Sequence, residues 1–190
     1  MLDQFWTREF GDSPPIANLL RDSFRDRWIR FHSLPDGQRY PTSDDELRDL
    51  LARHNSILSA ITQEGKELWL LNTNFSPDPT PELTDPDLAY TAAQAVHWRS
   101  IAMHEIDTDL DPNYWHIFHS TTKWMPSTFD DVLQLVANDS VGNLMIVDPT
   151  ESWLYHPYDG GADVILGSES ERNKLAARFA SWLSPRFDGL

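Results

Sequence analysis

The chain contains no cysteine, which excludes a disulfide scaffold, a thiolate zinc site and a cysteine nucleophile. It has no apolar run approaching the roughly 18–20 residues of a membrane-spanning helix. The opening Met1-Leu2-Asp3-Gln4-Phe5-Trp6 has neither a basic start nor an apolar stretch, so it does not read as a secretory signal. Gly-x-Ser-x-Gly, the phosphate-cradling Walker loop, Gly-x-Gly-x-x-Gly and His-Glu-x-x-His are all missing. The expectation from these absences is a cytoplasmic protein with no cofactor and no membrane association.

Basic charge is scarce in the middle of the chain. Residues 54–171 hold only Lys66, Arg99 and Lys123 against 19 acids, whereas residues 1–53 carry 8 arginines against 10 acids and residues 172–190 have a net charge of +3. The total for 190 residues is −15. A field of that sign repels phosphate backbones, so nucleic acid is not an expected partner. A basic protein would instead be attracted and steered. An acidic surface that merely maintains solubility accounts for the same composition.

Aromatics are plentiful, with 8 Trp, 9 Phe and 5 Tyr. They supply enough bulk for a packed core and rule out general disorder. The length suits one domain, taken as 1–190.

The first helix is expected after Asp12-Ser13, with Pro14 and Pro15 in its opening turn and Ile16, Leu19, Leu20 and Phe24 at helical spacing. A strand follows over 27–32. Ser43-Asp44-Asp45-Glu46 reads as a capping box opening an amphipathic helix that ends near Gly65. Strands are read over 67–75, 96–105, 114–123, 143–147, 153–156 and 162–166. Residues 76–90, with Pro77, Pro79, Pro81 and Pro86, form an exposed proline- and acid-rich loop. Thr128-Phe129-Asp130-Asp131 and Ser168-Glu169-Ser170-Glu171 read as two further capping boxes. The last of these opens a helix that buries Leu175, Phe179, Trp182 and Leu183. Short connectors favour antiparallel pairing. The fold class is α+β: a mainly antiparallel sheet of about five to six strands with helices packed on one face.

Seven histidines are the main candidates for chemistry. His97 and His104, seven apart on one strand, face opposite sides, as do His116 and His119. A metal site assembled across strands would draw on His104, His116 and Asp107; satisfied or surface histidines explain the same residues more simply. Asp107, Asp109 and Asp111 imitate a calcium loop, but Pro112 and Phe118 stand where Gly and Glu are needed. In Tyr155-His156-Pro157-Tyr158-Asp159-Gly160-Gly161-Ala162-Asp163, His156 is a candidate base or ligand oriented by Asp159 or Asp163. The structural alternative is a hairpin whose glycine tolerates positive φ, with Asp163 capping the turn. Ser33 follows His32 directly, which places their side chains on opposite faces and gives a serine hydrolase little support. Arg21, Arg25, Arg27 and Arg30 suggest either an anion pocket or helical ion pairs with Asp22 and Asp26. Arg39-Tyr40-Pro41 is placed to turn a guanidinium inward onto Asp or Glu.

Two long stretches carry a resemblance. Trp28-Ile29-Arg30-Phe31-His32-Ser33-Leu34-Pro35 with Arg39-Tyr40-Pro41 and Arg53-His54-Asn55, and then Trp153-Leu154-Tyr155-His156-Pro157-Tyr158-Asp159-Gly160-Gly161-Ala162-Asp163-Val164-Ile165-Leu166 with Ser181-Trp182-Leu183-Ser184, are similar to a family of uncharacterised bacterial proteins. The resemblance spans residues 28–190. It implies a bacterial cytoplasmic domain and assigns no catalytic residue.

The leading functional expectation is a non-enzymatic acidic module, monomeric or a small homo-oligomer, that binds a basic protein. An immunity-type protein occluding a cationic nuclease site is one version. The alternative is a His/Asp-dependent hydrolase with a cleft around His104, His116, His156 and Asp159. A third reading, a subunit of a larger assembly, expects Trp6, Trp69 or Trp124 to form an exposed patch.

Overall fold

The computed structural model describes residues 1–84, 86–87, 94–107, 113–184, 186 and 189. The calcium-like turn over 108–112 and parts of the proline-rich loop lie outside them. In chain order the elements are α1 (Leu2–Phe10), α2 (Ala17–Ser23), β1 (Trp28–His32), a 3₁₀ turn (Pro35–Gly37), α3 (Asp44–Ile61), β2 (Glu67–Ser76), β3 (Val96–Ala102), α4 (Met103–Ile106), β4 (Tyr114–Lys123), α5 (Asp130–Ala137), β5 (Met145–Asp148), β6 (Trp153–Tyr158), β7 (Gly161–Ile165), α6 (Glu169–Arg178) and a closing 3₁₀ turn (Ala180–Trp182).

Among the described residues the strands form one open sheet of 7 strands in the order β1-β7-β6-β5-β2-β4-β3. Every pairing is antiparallel. The class is therefore α+β as expected, with seven strands in place of five to six.

The helices cover both faces, which corrects the one-face expectation. Ile57 and Leu58 of α3, Val132, Leu133 and Val136 of α5 and Leu175 of α6 pack with Ile29, Phe31, Leu68, Leu70, Ile146, Tyr155 and Val164. On the opposite face, Leu2, Phe5, Trp6 and Phe10 of α1 and Ala17 and Leu20 of α2 pack with Trp28, Trp69, Leu71, Ile117, Met145, Val147, Leu154 and Ile165. The continuous run Leu68-Trp69-Leu70-Leu71 is the signature of a strand buried on two sides, because consecutive side chains point to opposite faces.

The second layer rests on α1, which precedes the first helix expected from the sequence. Its apolar positions 2, 5, 6 and 10 are helically spaced. The expected patch of exposed tryptophans fails for the same reason. Trp6 is buried in this layer and donates to the Ser13 carbonyl at 2.7 Å. Trp69 packs edge-on against Phe5 at 5.3 Å, and Trp124 is buried on the other face.

The caps divide. Ser43 Oγ accepts from the Glu46 amide at 3.2 Å, and Ser168 Oγ accepts from the Glu171 amide at 3.3 Å. Glu46 reaches one residue beyond its box, accepting from Thr42 N at 2.6 Å and Thr42 Oγ1 at 2.8 Å. The Thr128 box does not form, because Thr128 Oγ1 accepts from the Met125 amide at 2.8 Å. Asp130 instead accepts from Asn55 Nδ2 at 2.7 Å and ties α5 to α3.

Pro14 and Pro15 precede α2 rather than opening it. The helix starts at Ala17 with no cap from its own neighbourhood. Asn143 supplies one from across the chain: its Oδ1 accepts from Ala17 N at 2.9 Å, while its Nδ2 donates to Pro15 O at 3.1 Å and Thr73 Oγ1 at 2.8 Å. One amide thus fastens α2 to β2 and to the loop before β5.

The β6–β7 hairpin turns through Asp159-Gly160, as read, but for a different reason. Neither Gly160 nor Gly161 has positive φ. Gly161 is demanded by space: a Cβ there would lie 2.1 Å from the Phe31 carbonyl oxygen and 2.9 Å from the Tyr158 hydroxyl. At Gly160 the nearest atom to an added Cβ is 3.4 Å away, on the Tyr158 ring.

Three stability outcomes follow, all readable by thermal or urea unfolding. Gly161→Ala should cost about 3 kcal/mol through backbone overpacking, whereas Gly160→Ala should change stability by less than about 1 kcal/mol. Asn143→Ala should cost about 2 kcal/mol, because it removes the buried side-chain bonds to Pro15 and Thr73 and uncaps α2. For a chain of this size that is a fall in Tm of about 4–8 °C.

Candidate functional site

The antiparallel register decides which candidate side chains meet. His104 and His116 lie at the β3–β4 margin, whereas His156 and Asp159 lie at β6 and its turn. β5 and β2 stand between β6 and β4, a separation of about 14 Å at three spacings of about 4.8 Å. His116 shares a face with Phe118, opposite Ile117, and His156 shares the other face with Leu154. The structure therefore does not gather the four into one cleft.

Each also has its own local partner. His156 Nδ1 bonds to the Leu144 carbonyl at 2.7 Å, and burial holds its pKa below the ordinary value. Neither Asp159 nor Asp163 orients it. The Asp163 carboxylate is taken bidentately by Arg30 at 2.8 and 3.1 Å, a pair with side chains only 5% and 15% exposed. Asp163 therefore does not cap the turn. Asp159 accepts from Arg39 and, at 2.8 Å, from the Tyr40 hydroxyl. Arg39 thus meets an Asp, as expected from Arg39-Tyr40-Pro41, but its side chain is 66% exposed rather than turned inward.

Of the other arginines, Arg27 lies over the Phe24 ring and donates to Glu9 O at 3.4 Å, and Arg21 meets Asp22 at 3.5 Å. Asp107 is exposed just after α4. His104 packs edge-on against Tyr114 at 6.2 Å. Among the described residues no group of three or more His, Asp or Glu side chains is placed to hold a metal ion.

Two serine–histidine chains do form, and neither was legible from spacing alone. The first is internal. Ser33 Oγ lies 3.0 Å from His54 Nε2, and His54 Nδ1 lies 2.6 Å from the Tyr155 hydroxyl. All three residues are buried. Burial pushes the His54 pKa down to about 4 and drives that of Tyr155 well above its ordinary value. Sealed from solvent, this chain stitches the end of β1 to α3 and β6.

The second chain is at the sheet edge. Antiparallel pairing sets Ser100 of β3 opposite His116 of β4, and a bulge between His97 and Arg99 shifts the register there. The bulge brings His97 to the same face as His116, which spacing along the strand could not reveal. His97 Nε2 lies 2.9 Å from Ser100 Oγ, which lies 2.7 Å from His116 Nδ1. His116 Nε2 lies 2.9 Å from the Asp78 carbonyl, in the loop after β2. The Tyr114 ring is parallel to that of His116 at 6.0 Å, and His97 meets Phe118 edge-on at 5.6 Å. His119, as expected, takes the opposite face and packs edge-on against Trp69 at 5.5 Å.

The same topology concentrates acid. The loops after β2, after β3 and before β5 all emerge at one end of the sheet. They carry exposed Asp78, Glu82, Glu105, Asp107 and Asp139. Phe75 and Ile106, each 44% exposed, sit at that end too.

No curated protein and no solved structure matches the chain. Residues 16–186 match the family model described as Domain of unknown function (DUF3885), and the chain belongs to that family.

The depressed His54 pKa has a signed consequence. Above about pH 6.5 His54 is neutral in folded and unfolded chains alike. As pH falls from about 6.5 to 4, the unfolded chain takes up a proton that the folded one refuses, so stability is lost in that window. The loss attributable to His54 is about 3 kcal/mol. Urea unfolding at a series of pH values should show a slope shallower by up to one proton in His54→Gln between pH 6.5 and pH 4. Parallel slopes would show that His54 titrates normally.

Proposed function

We propose that this member of the DUF3885 family is a binding module that takes a basic protein at the acidic end of its sheet. One observation carries the reading: separate loops bring Asp78, Glu82, Glu105, Asp107 and Asp139 to that end, around the exposed Phe75 and Ile106. Acid alone would report solubility. Acid around apolar side chains has the build of an interface, in which the charged rim steers encounter and the apolar centre holds.

The arginines support the same division. Arg30 and Arg39 are occupied by Asp163 and Asp159, so they do little to neutralise the loops. A cationic nuclease whose active-site groove is occluded by the rim is the partner chemistry that matches an immunity-type role. A hydrolase drawing on His104, His116, His156 and Asp159 together has no support in this arrangement, since they lie on different strands and faces.

The test is association kinetics with a protein captured on the immobilised full chain. Its on-rate should fall steeply between 50 mM and 300 mM salt. Glu82→Lys with Glu105→Lys should slow association by about tenfold at low salt while leaving Tm nearly unchanged. Phe75→Ala should act on dissociation instead, raising koff by about tenfold. Salt-insensitive binding, or binding indifferent to charge reversal, would sink the reading.

A further inference from the structure

The edge chain is directional, and its direction follows from hydrogen-bond chemistry. A backbone carbonyl can only accept, so His116 Nε2, 2.9 Å from the Asp78 carbonyl oxygen, carries the proton. Neutral His116 then presents a lone pair at Nδ1, and the Ser100 hydroxyl at 2.7 Å must donate to it. The oxygen of Ser100 is left to accept from His97 Nε2–H at 2.9 Å. A serine oxygen is thereby joined to a base, and that base is oriented by a third group. This is the arrangement that activates a hydroxyl nucleophile.

Burial supports a chemical role over a packing one. Ser100 is exposed on the outermost strand, whereas His116 behind it is fully buried. The reacting atom is thus reachable and its base is held rigidly, the reverse of the sealed Ser33–His54–Tyr155 chain. Nearby on the same face, both side-chain amide atoms of Asn72 are buried with no partner among the described residues. Native proteins hold few such groups, and they concentrate where polarity has a use.

We propose that Ser100 and His116 form a nucleophile–base pair that cleaves neutral or cationic carboxylic esters, with His97 as a positioning residue. Ser100 Oγ bonds to the ester carbonyl carbon while its proton passes to His116 Nδ1. The imidazolium is stabilised by the Asp78 carbonyl and faced by the Tyr114 ring. The carbon–oxygen bond to the alcohol breaks, and His116 Nδ1 returns the proton to that oxygen. Water then attacks the acyl-serine by the same route, releasing the acid and restoring Ser100. The acids at this end of the sheet, Asp78, Glu82, Glu105 and Asp107, disfavour anionic substrates. This goes beyond the binding reading and stands or falls separately, because it is read by covalent labelling.

The experiment treats the full chain with a neutral alkyl fluorophosphonate and follows intact mass. One adduct is expected, mapping to Ser100, and none in Ser100→Ala, with the variant's circular dichroism and cooperative unfolding showing that it remains folded. His116→Gln should label at least a hundredfold more slowly. Should that variant unfold, the wild-type labelling rate against pH is the alternative readout. It should rise through a single histidine-like ionisation, with His97, His104 and the Asp78 carboxylate as the neighbouring titrating groups. Deacylation after 4-nitrophenyl acetate should exceed that after the anionic 4-acetoxybenzoate severalfold in turnover. No adduct, an adduct that survives Ser100→Ala, or labelling indifferent to His116 and to pH overturns the assignment.

Discussion

The ladder between β2 and β4 is the constraint on which the rest of the structure depends. It runs unbroken from Glu67↔Lys123 to Ser76↔Tyr114. The far side of β2 pairs with β5, so β2 joins the β1-β7-β6-β5 part of the sheet to the β4-β3 margin. A one-residue slip in this ladder would exchange the faces of Leu68, Trp69, Leu70 and Leu71. Both faces are apolar and both are covered by helices, which penalises any other register. The same register sets Asn74 opposite His116, while the separate, bulged β3–β4 ladder sets Ser100 opposite it. Core packing and the polar edge therefore meet on one strand, β4.

Two serine–histidine chains within one domain-sized chain show how burial assigns different work to the same side chains. In Ser33–His54–Tyr155 the imidazole is sealed and held neutral by desolvation, so it can neither meet a substrate nor titrate cheaply. Its contribution is structural, linking three elements by bonds that are costly to leave unmade in the interior. In His97–Ser100–His116 the hydroxyl is exposed and only the base is buried. Reach and rigidity, not residue type, separate the two.

Charge follows the same division between inside and outside. Arg30 and Asp163 are paired bidentately with little exposure. Such pairs return little net stability against their desolvation, but they penalise misplacement of β1 against β7 heavily. The unpenalised charge is solvated and collected on loops at one end of the sheet. A net charge of −15 thus becomes a directional feature only after folding, because loops distant in sequence leave the sheet at the same end.

Much of the architecture was legible locally. The end of β1, the boundaries of β4, the Ser43 and Ser168 caps and the β6–β7 hairpin depend on neighbours a few residues away, so propensity and turn chemistry reveal them. The run 68–71 and the periodicity of Leu2, Phe5, Trp6 and Phe10 also encode the second helical layer, against the expectation of helices on one face. What only the tertiary structure decided lies in contacts across long separations. Asn143 caps a helix 126 residues away, Gly161 is required by the Phe31 carbonyl, and a bulge beside His97 turns that ring toward His116. Spacing along one strand says which side chains share its face, but not which residue of another strand stands opposite. The amino-acid sequence by itself therefore determined most element types (though not α1, nor the helix α4 where a strand over 96–105 is expected), the acidic balance and the absence of thiol chemistry. Which serine meets which histidine was decided by register, because that depends on the whole two-sided core settling at once.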